Sequence, residues 1–261
     1  MSRGPGASHS TAVRQGEQHA AVRRYPRDDI RLARQVVHDL GGRYSAELGI
    51  DVDAGDGEIE RWFLAATLFG ARISAKVAER TYRVLTRAGL TRIAQARQMP
   101  SGDLIGLLDE GGYARYDFRT ATQLTNLSEV MTVRYDGQVA MIGQRFTSYP
   151  ALRVALDALP GWGPVTIGLF LRELRGVWPG ASPPLDERAT AAARHLGLKV
   201  ANSTLADMPG LSALAAACDL DVRDLESGLV RLALAHRNTM ASCPGLWSCA
   251  VLHQQSLRDT E

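Results

Sequence analysis

Two stretches of this chain carry residue types that could do chemistry. One is Leu159-Pro160-Gly161-Trp162-Gly163-Pro164-Val165-Thr166; the other is a carboxylate, Asp186, at the start of a helical pattern. Gly161 and Gly163 have no side chains to cover the backbone, so N–H groups and a helix N-terminus can face outward, a geometry suited to a phosphate. The same glycines would serve a turn that only packs two core helices together. Asp186 also has two readings. It could stand against positive charge that develops during a reaction, or simply cap its helix, a position where Asp is among the commonest residues.

The elements around the turn follow from spacing. Leu152, Ala155, Leu156 and Leu159 fall at i, i+3, i+4 and i+7, and Ile167, Phe170, Leu171 and Leu174 repeat that pattern after it. Two amphipathic helices are therefore joined by a very short loop. Pro160 cannot continue the first helix, the glycines can take positive φ, and Pro164 suits the first turn of the second. An αα-hairpin is expected.

The rest of the chain reads as further helices. Asp28 or Asp29 can cap one that carries Ile30, Ala33, Val36, Val37 and Leu40 and stops at Gly41-Gly42. Ile59, Trp62, Phe63 and Ala66 mark a strongly apolar helix, and Ser74 is a plausible cap for one that ends at Gly89. Thr91 and Ser101 can start two short helices, and residues 118–135 a longer one with Ala121, Leu124, Leu127 and Met131 on one stripe. Residues 187–195, 205–218 and a stripe of Val222, Leu225, Leu229 and Leu232 follow. No alternating run of β-branched residues stands between turn signals, so the class is all-α. The acidic loop at 51–57 lacks calcium-loop spacing, because Gly55 and Trp62 stand where ligands are required.

Composition narrows the function class. With 45% hydrophobic residues among 261 and no apolar run near the ~18 residues of a membrane span, a soluble protein is expected. Residues 1–26 read as a disordered basic tail. Cys218, Cys243 and Cys249 are too few and too unevenly placed for a disulfide framework, which fits the cytoplasm. The net charge of +2 says little, but its distribution is one-sided. Between positions 72 and 97, Arg72, Lys76, Arg80, Arg83, Arg87, Arg92 and Arg97 face only Glu79, a run that could neutralise phosphates or merely be a solvated helix face.

The turn resembles the hairpin of the helix-hairpin-helix DNA glycosylases, the endonuclease III superfamily, whose pattern is L-P-G-hydrophobic-G-x-x-T-A. That family places an aspartate about twenty residues later at a helix start, and Leu185-Asp186 supplies it 21 residues after Val165. Residues 62–72 resemble the family's apolar helix leading into a DNA-facing loop, and Gly112-Tyr113 with Thr120-Ala121 its glycine-aromatic loop and following helix. The likeness covers about residues 28–240.

The resemblance implies a two-domain all-α fold with an interdomain cleft. Residues 27–55 and 198–261 would form a terminal helical domain, and residues 56–197 a central bundle carrying both the hairpin and Asp186. It implies double-stranded DNA as partner, a nucleoid-associated monomer with no membrane association, and base-excision repair as function. Gly161, Trp162, Gly163, Val165 and Thr166 would hold the DNA backbone with Arg72, which either fills the gap left by a flipped base or contacts phosphate. Tyr113 and Tyr116 could stack on a base. Asp186 would be the catalytic carboxylate, flanked by Glu187 and Arg188 where relatives usually carry other residues. His195 and His236 lie on apolar stripes and read as core or interface residues.

Two departures from the family pattern refine this. Bifunctional members use a hairpin lysine whose amine attacks the sugar. Val165 stands at the matching position and has no nucleophile, so a monofunctional, water-using glycosylase is expected. A catalytically silent DNA-binding relative is the alternative. Many members also hold an iron-sulfur cluster on C-x6-C-x2-C-x5-C. Here Cys243 and Cys249 keep only the last spacing, with Met240 and Ala233 at the other two positions, so no cluster and no other cofactor is expected.

Overall fold

The structure is a computed structural model that describes residues 25–71, 73–113, 116–200, 203–204 and 207–252. Of the tail expected over residues 1–26, residues 1–24 lie outside the described residues, as does Arg72, whereas Tyr25 is buried in a hydrophobic core. The all-α class holds, with one antiparallel two-residue ladder pairing Lys199–Val200 with Ser203–Thr204. No helix among the described residues is long and apolar enough to cross a membrane. The chain divides into two compact units, residues 45–183 and residues 1–44 with 184–261. This corrects the expected boundary. The chain changes units before Asp186, so Asp186 and the helix it opens belong with the terminal helices and not with the hairpin.

The contiguous unit, residues 45–183, is organised on α3 (Asp56–Phe69), which follows α1 (Arg27–Leu40) and the single turn α2 (Tyr44–Glu47). α3 buries Ile59, Trp62, Phe63, Leu64, Ala65, Ala66 and Leu68, so its apolar residues run nearly all the way round, as a central helix requires. α4 (Ala75–Arg87) starts at the expected cap, where Ser74 accepts from the Val77 N–H at 3.3 Å. A 3-10 turn (Ile93–Gln98) and α5 (Ser101–Gly111) follow. α6 (Asp117–Tyr135) carries the expected stripe. α7 (Ala140–Arg145) was not anticipated, because six residues are too few for a periodicity to show. α8 (Tyr149–Asp157) and α9 (Pro164–Glu173) are the hairpin helices.

An aromatic cluster fastens the hairpin to α3. The Trp162 ring stacks on Phe63 at 4.4 Å between centroids, Phe170 meets both edge-on, and Trp178 extends the cluster from Phe170. The Trp162 Nε1 donates to Thr67 Oγ1 at 3.1 Å, and the Trp62 Nε1 to the Phe170 carbonyl at 3.3 Å, so neither indole is buried with an unmet donor. Tyr113 is likewise fully buried and donates its hydroxyl to the Leu68 carbonyl at 2.8 Å; burial pushes its pKa well up.

The terminal unit closes on α12 (Val222–His236), which packs against α1, α10 (Glu187–His195) and α11 (Met208–Ala217). Its core includes Leu32, Val36, Ala192, Leu214, Leu225, Leu229 and Leu232. Gly228 lets α1 approach: a Cβ there would lie 3.0 Å from a Val36 methyl and 3.2 Å from the Gly41 carbonyl. Asp221 caps α12 by accepting from the Arg223 N–H at 2.8 Å, and its carboxylate pairs with Arg223 at 2.6 Å and Arg43 at 3.7 Å. Burial raises its pKa, but the hydrogen bonds and charge of Arg223, with Arg43, outweigh that and hold it below the ordinary carboxylate value. The sign of the consequence follows. A depressed folded-state pKa stabilises the fold above the unfolded value and ceases to do so as pH falls through the folded one. Asp221→Ala is expected to cost roughly 1–2 kcal/mol at pH 7. Below the ordinary carboxylate pKa of about 4 the difference should shrink. Urea denaturation at pH 7 and pH 3 checks this, and an equal cost at both would contradict it.

Candidate functional site

In the hairpin turn Gly161, Pro164 and Val165 are exposed, whereas Trp162 and Thr166 are buried. Gly161 takes φ 78°, a left-handed conformation that favours glycine, and the Trp162 N–H closes the turn on the Leu159 carbonyl at 3.1 Å. Pro164 occupies the first turn of α9, and the first hydrogen bond of that helix runs from the Ile167 N–H to the Gly163 carbonyl. The N–H groups of Gly161, Gly163, Val165 and Thr166 have no acceptor among the described residues. With the partial positive charge of the α9 N-terminus, they form an anion-facing surface. A Cβ on Gly161 would overlap the Gln123 side chain. One on Gly163, whose backbone is extended, would meet only open space.

The side chains of the turn sort into two groups. Val165 is 57% exposed and stands beside these amides. Trp162 is buried in the aromatic cluster and Thr166 against Gly70, so neither side chain is offered to a ligand. For those two a contact with DNA would run through the backbone, because their side chains build the foundation of the turn. Tyr113 is corrected in the same way, since its ring is wholly enclosed and cannot stack on a base.

Tyr116, by contrast, is 41% exposed at the start of α6. Tyr116, Arg119 and Gln123 recur at i, i+3 and i+7 and so share a face of α6, the face whose Gln123 lies across Gly161. Phe118, not singled out from sequence, is 69% exposed on the adjacent turn. Its spacing from Ala121 would place it on the buried stripe, yet it is exposed. The basic run is partly consumed within the fold. Arg80 donates to the Gly111 carbonyl at 2.8 Å, Arg83 pairs with Glu79 at 2.9 Å, and Arg97 with Glu129 at 3.3 Å. Lys76 and Arg87 lie on the exposed face of α4.

Asp186 is half-buried and caps α10, its Oδ1 accepting from the Arg188 N–H at 2.8 Å. Its own N–H donates to Glu226 Oε1 at 3.2 Å. Glu226, on α12, is 1% exposed and so fixes the backbone of Asp186 from beneath. Sequence reasoning missed it, although a glutamate four residues after Val222, on an otherwise apolar stripe, was the available signal. Glu187 and Arg188 are both exposed.

A second group of chemically capable side chains lies in the terminal unit. His195 and His236 are the last residues of α10 and α12, and their rings meet edge to face at 4.7 Å. Cys249 Sγ lies 3.2 Å from His236 Nε2, and one ligating atom from each of His195, His236, Cys243 and Cys249 lies within 4.8 Å of all the others. Burial lowers the pKa of both imidazoles, and the neighbouring His195 lowers that of His236 further. The core reading of the histidines thus holds for His236, but it missed the sulfurs beside them. The spacing H-x6-C-x5-C from His236 to Cys249 was visible; His195 arrives from another helix.

Compared with known proteins, the chain matches no family model and no curated protein.

Proposed function

We propose that this chain is a monofunctional DNA glycosylase that binds duplex DNA through the hairpin, rotates a damaged or mispaired base out of the stack, and hydrolyses its N-glycosidic bond. The observation that carries the reading is the hairpin itself, with four unpartnered N–H groups at the start of α9. Among the described residues nothing requires a glycine at position 163, whereas the close approach of a phosphate would. Tyr116 and Arg119 on α6, with Val165, extend the same surface.

In this mechanism the backbone contacts supply affinity without reading sequence. A base must leave the stack before its sugar bond is reachable. As that bond breaks, positive charge grows on the sugar, and the Asp186 carboxylate stabilises it and orients the attacking water. Val165 provides no amine, so the reaction ends with an abasic site and no covalent enzyme-sugar adduct. Incubation with duplexes that carry oxidised, alkylated, deaminated or mismatched bases, followed by detection of released base, tests the activity. A second reading, a catalytically silent DNA-binding relative, is favoured by one observation: the Asp186 carboxylate is already engaged as a helix cap. Salt-dependent binding without base release across the panel would select it.

Gly163→Ala separates fold from binding. The extended backbone accepts alanine without strain, so stability should be unchanged or higher by about 0.4–1 kcal/mol. Duplex affinity should fall roughly tenfold, the loss of about one charge-assisted hydrogen bond. Thermal melting together with fluorescence anisotropy checks both. Unaltered affinity would remove the hairpin from the interface.

A further inference from the structure

We propose that His195, His236, Cys243 and Cys249 bind a single zinc ion that locks the C-terminal segment onto the ends of α10 and α12. The inference is independent of the DNA reading, since all four residues belong to the terminal unit and none is among the proposed DNA contacts.

Geometry carries the assignment. Four ligating atoms drawn from three parts of the chain converge within 4.8 Å. Tetrahedral zinc, with bonds of about 2.0–2.3 Å, needs its ligand atoms about 3.3–3.8 Å apart. Rotation about side-chain bonds covers the difference. His195 Nε2 is buried with no hydrogen-bond partner among the described residues, an orphan that a metal bond would satisfy. Both histidines end helices, so the negative poles of α10 and α12 face the cation. The loop between the cysteines is shaped to reach them. Gly245 takes φ 70°, and a Cβ there would overlap the His195 carbonyl, so only glycine lets this loop pass so close. The N–H of Ala250 donates to Cys243 Sγ at 3.4 Å, the kind of supporting bond that favours a thiolate ligand.

The donor set selects the metal. Two imidazoles and two thiolates at one point suit zinc, and four protein ligands leave no open position, so the site is structural. A two-iron cluster held by two histidines and two cysteines would put each pair on its own iron, with the width of the cluster between them. Convergence of all four atoms on one small volume does not fit that arrangement. A four-cysteine cluster is excluded by the count of three cysteines, and Cys218 is buried with its Sγ donating to the Ile30 carbonyl at 3.8 Å.

The full chain, expressed with zinc and purified under reducing conditions, is expected to hold about one zinc per chain by plasma mass spectrometry. Cys218→Ala should retain it, and Cys243→Ala and Cys249→Ala should each reduce it at least about tenfold, in line with loss of a ligand. Because a ligand variant could fail to fold, the wild-type chain provides the second measurement. Replacing its metal by cobalt(II) should produce the intense visible bands of a tetrahedral site together with thiolate-to-cobalt charge transfer. Wild-type protein with less than about a tenth of a zinc per chain and no such bands would overturn the proposal, as would iron with acid-labile sulfide in place of zinc.

Discussion

Replacing Asp186 with asparagine is expected to lower single-turnover base release by about a thousandfold while leaving duplex affinity within about twofold. The substitution is unusually clean here. Asparagine is as good a helix cap as aspartate, and its Oδ1 can keep the bond that Asp186 accepts from the Arg188 N–H. The backbone N–H bond to Glu226 does not involve the side chain and persists. What the substitution removes is the negative charge. A fold change is therefore not available as an explanation of lost activity, and a melting temperature equal to wild type would document that. Base release at the wild-type rate would sink the catalytic role of Asp186 and leave it a cap.

Trp162→Ala is expected to have the largest effect on stability, about 3–5 kcal/mol, as for other buried aromatics truncated in a core. Its ring stacks on Phe63, meets Phe170 edge-on and bonds Thr67, so its loss opens a cavity between the hairpin and α3. Val165→Ala, three positions along, should change stability by no more than about 0.5 kcal/mol, because that side chain is more than half exposed. Guanidinium denaturation of both variants makes the comparison. A Trp162 variant within about 1 kcal/mol of wild type would return the indole to the surface and restore it as a ligand contact.

These contrasts show which parts of the molecule were legible before any coordinates. Helix positions were, because proline and glycine punctuate the chain and apolar residues repeat with helical period. α1, α3, α6 and the two hairpin helices all lie close to where periodicity placed them. Side-chain direction at the turn was not. An aromatic residue between two glycines has the same spacing whether it points out or in, and only the position of Phe63 on α3 decides that Trp162 points in. Tyr113 failed for the same reason, its partner being a carbonyl on α3. The basic run was legible as charge but not as free charge, since Arg80, Arg83 and Arg97 are spoken for within the fold. The histidine-cysteine group was not legible because cysteine spacing alone does not reveal it: two of its members are helix-terminal histidines, one of them from α10.

The make-up of the terminal unit has a consequence for how the chain is born. α1 emerges from the ribosome well before α11 and α12, against which it packs and with which Leu32 and Val36 share a core. The contiguous unit of residues 45–183 can finish folding in the meantime, as a self-contained insert. Until α11 and α12 emerge, α1 waits with its apolar face bare, so quality control in the cell sees a completed middle beside a helix still without its partners.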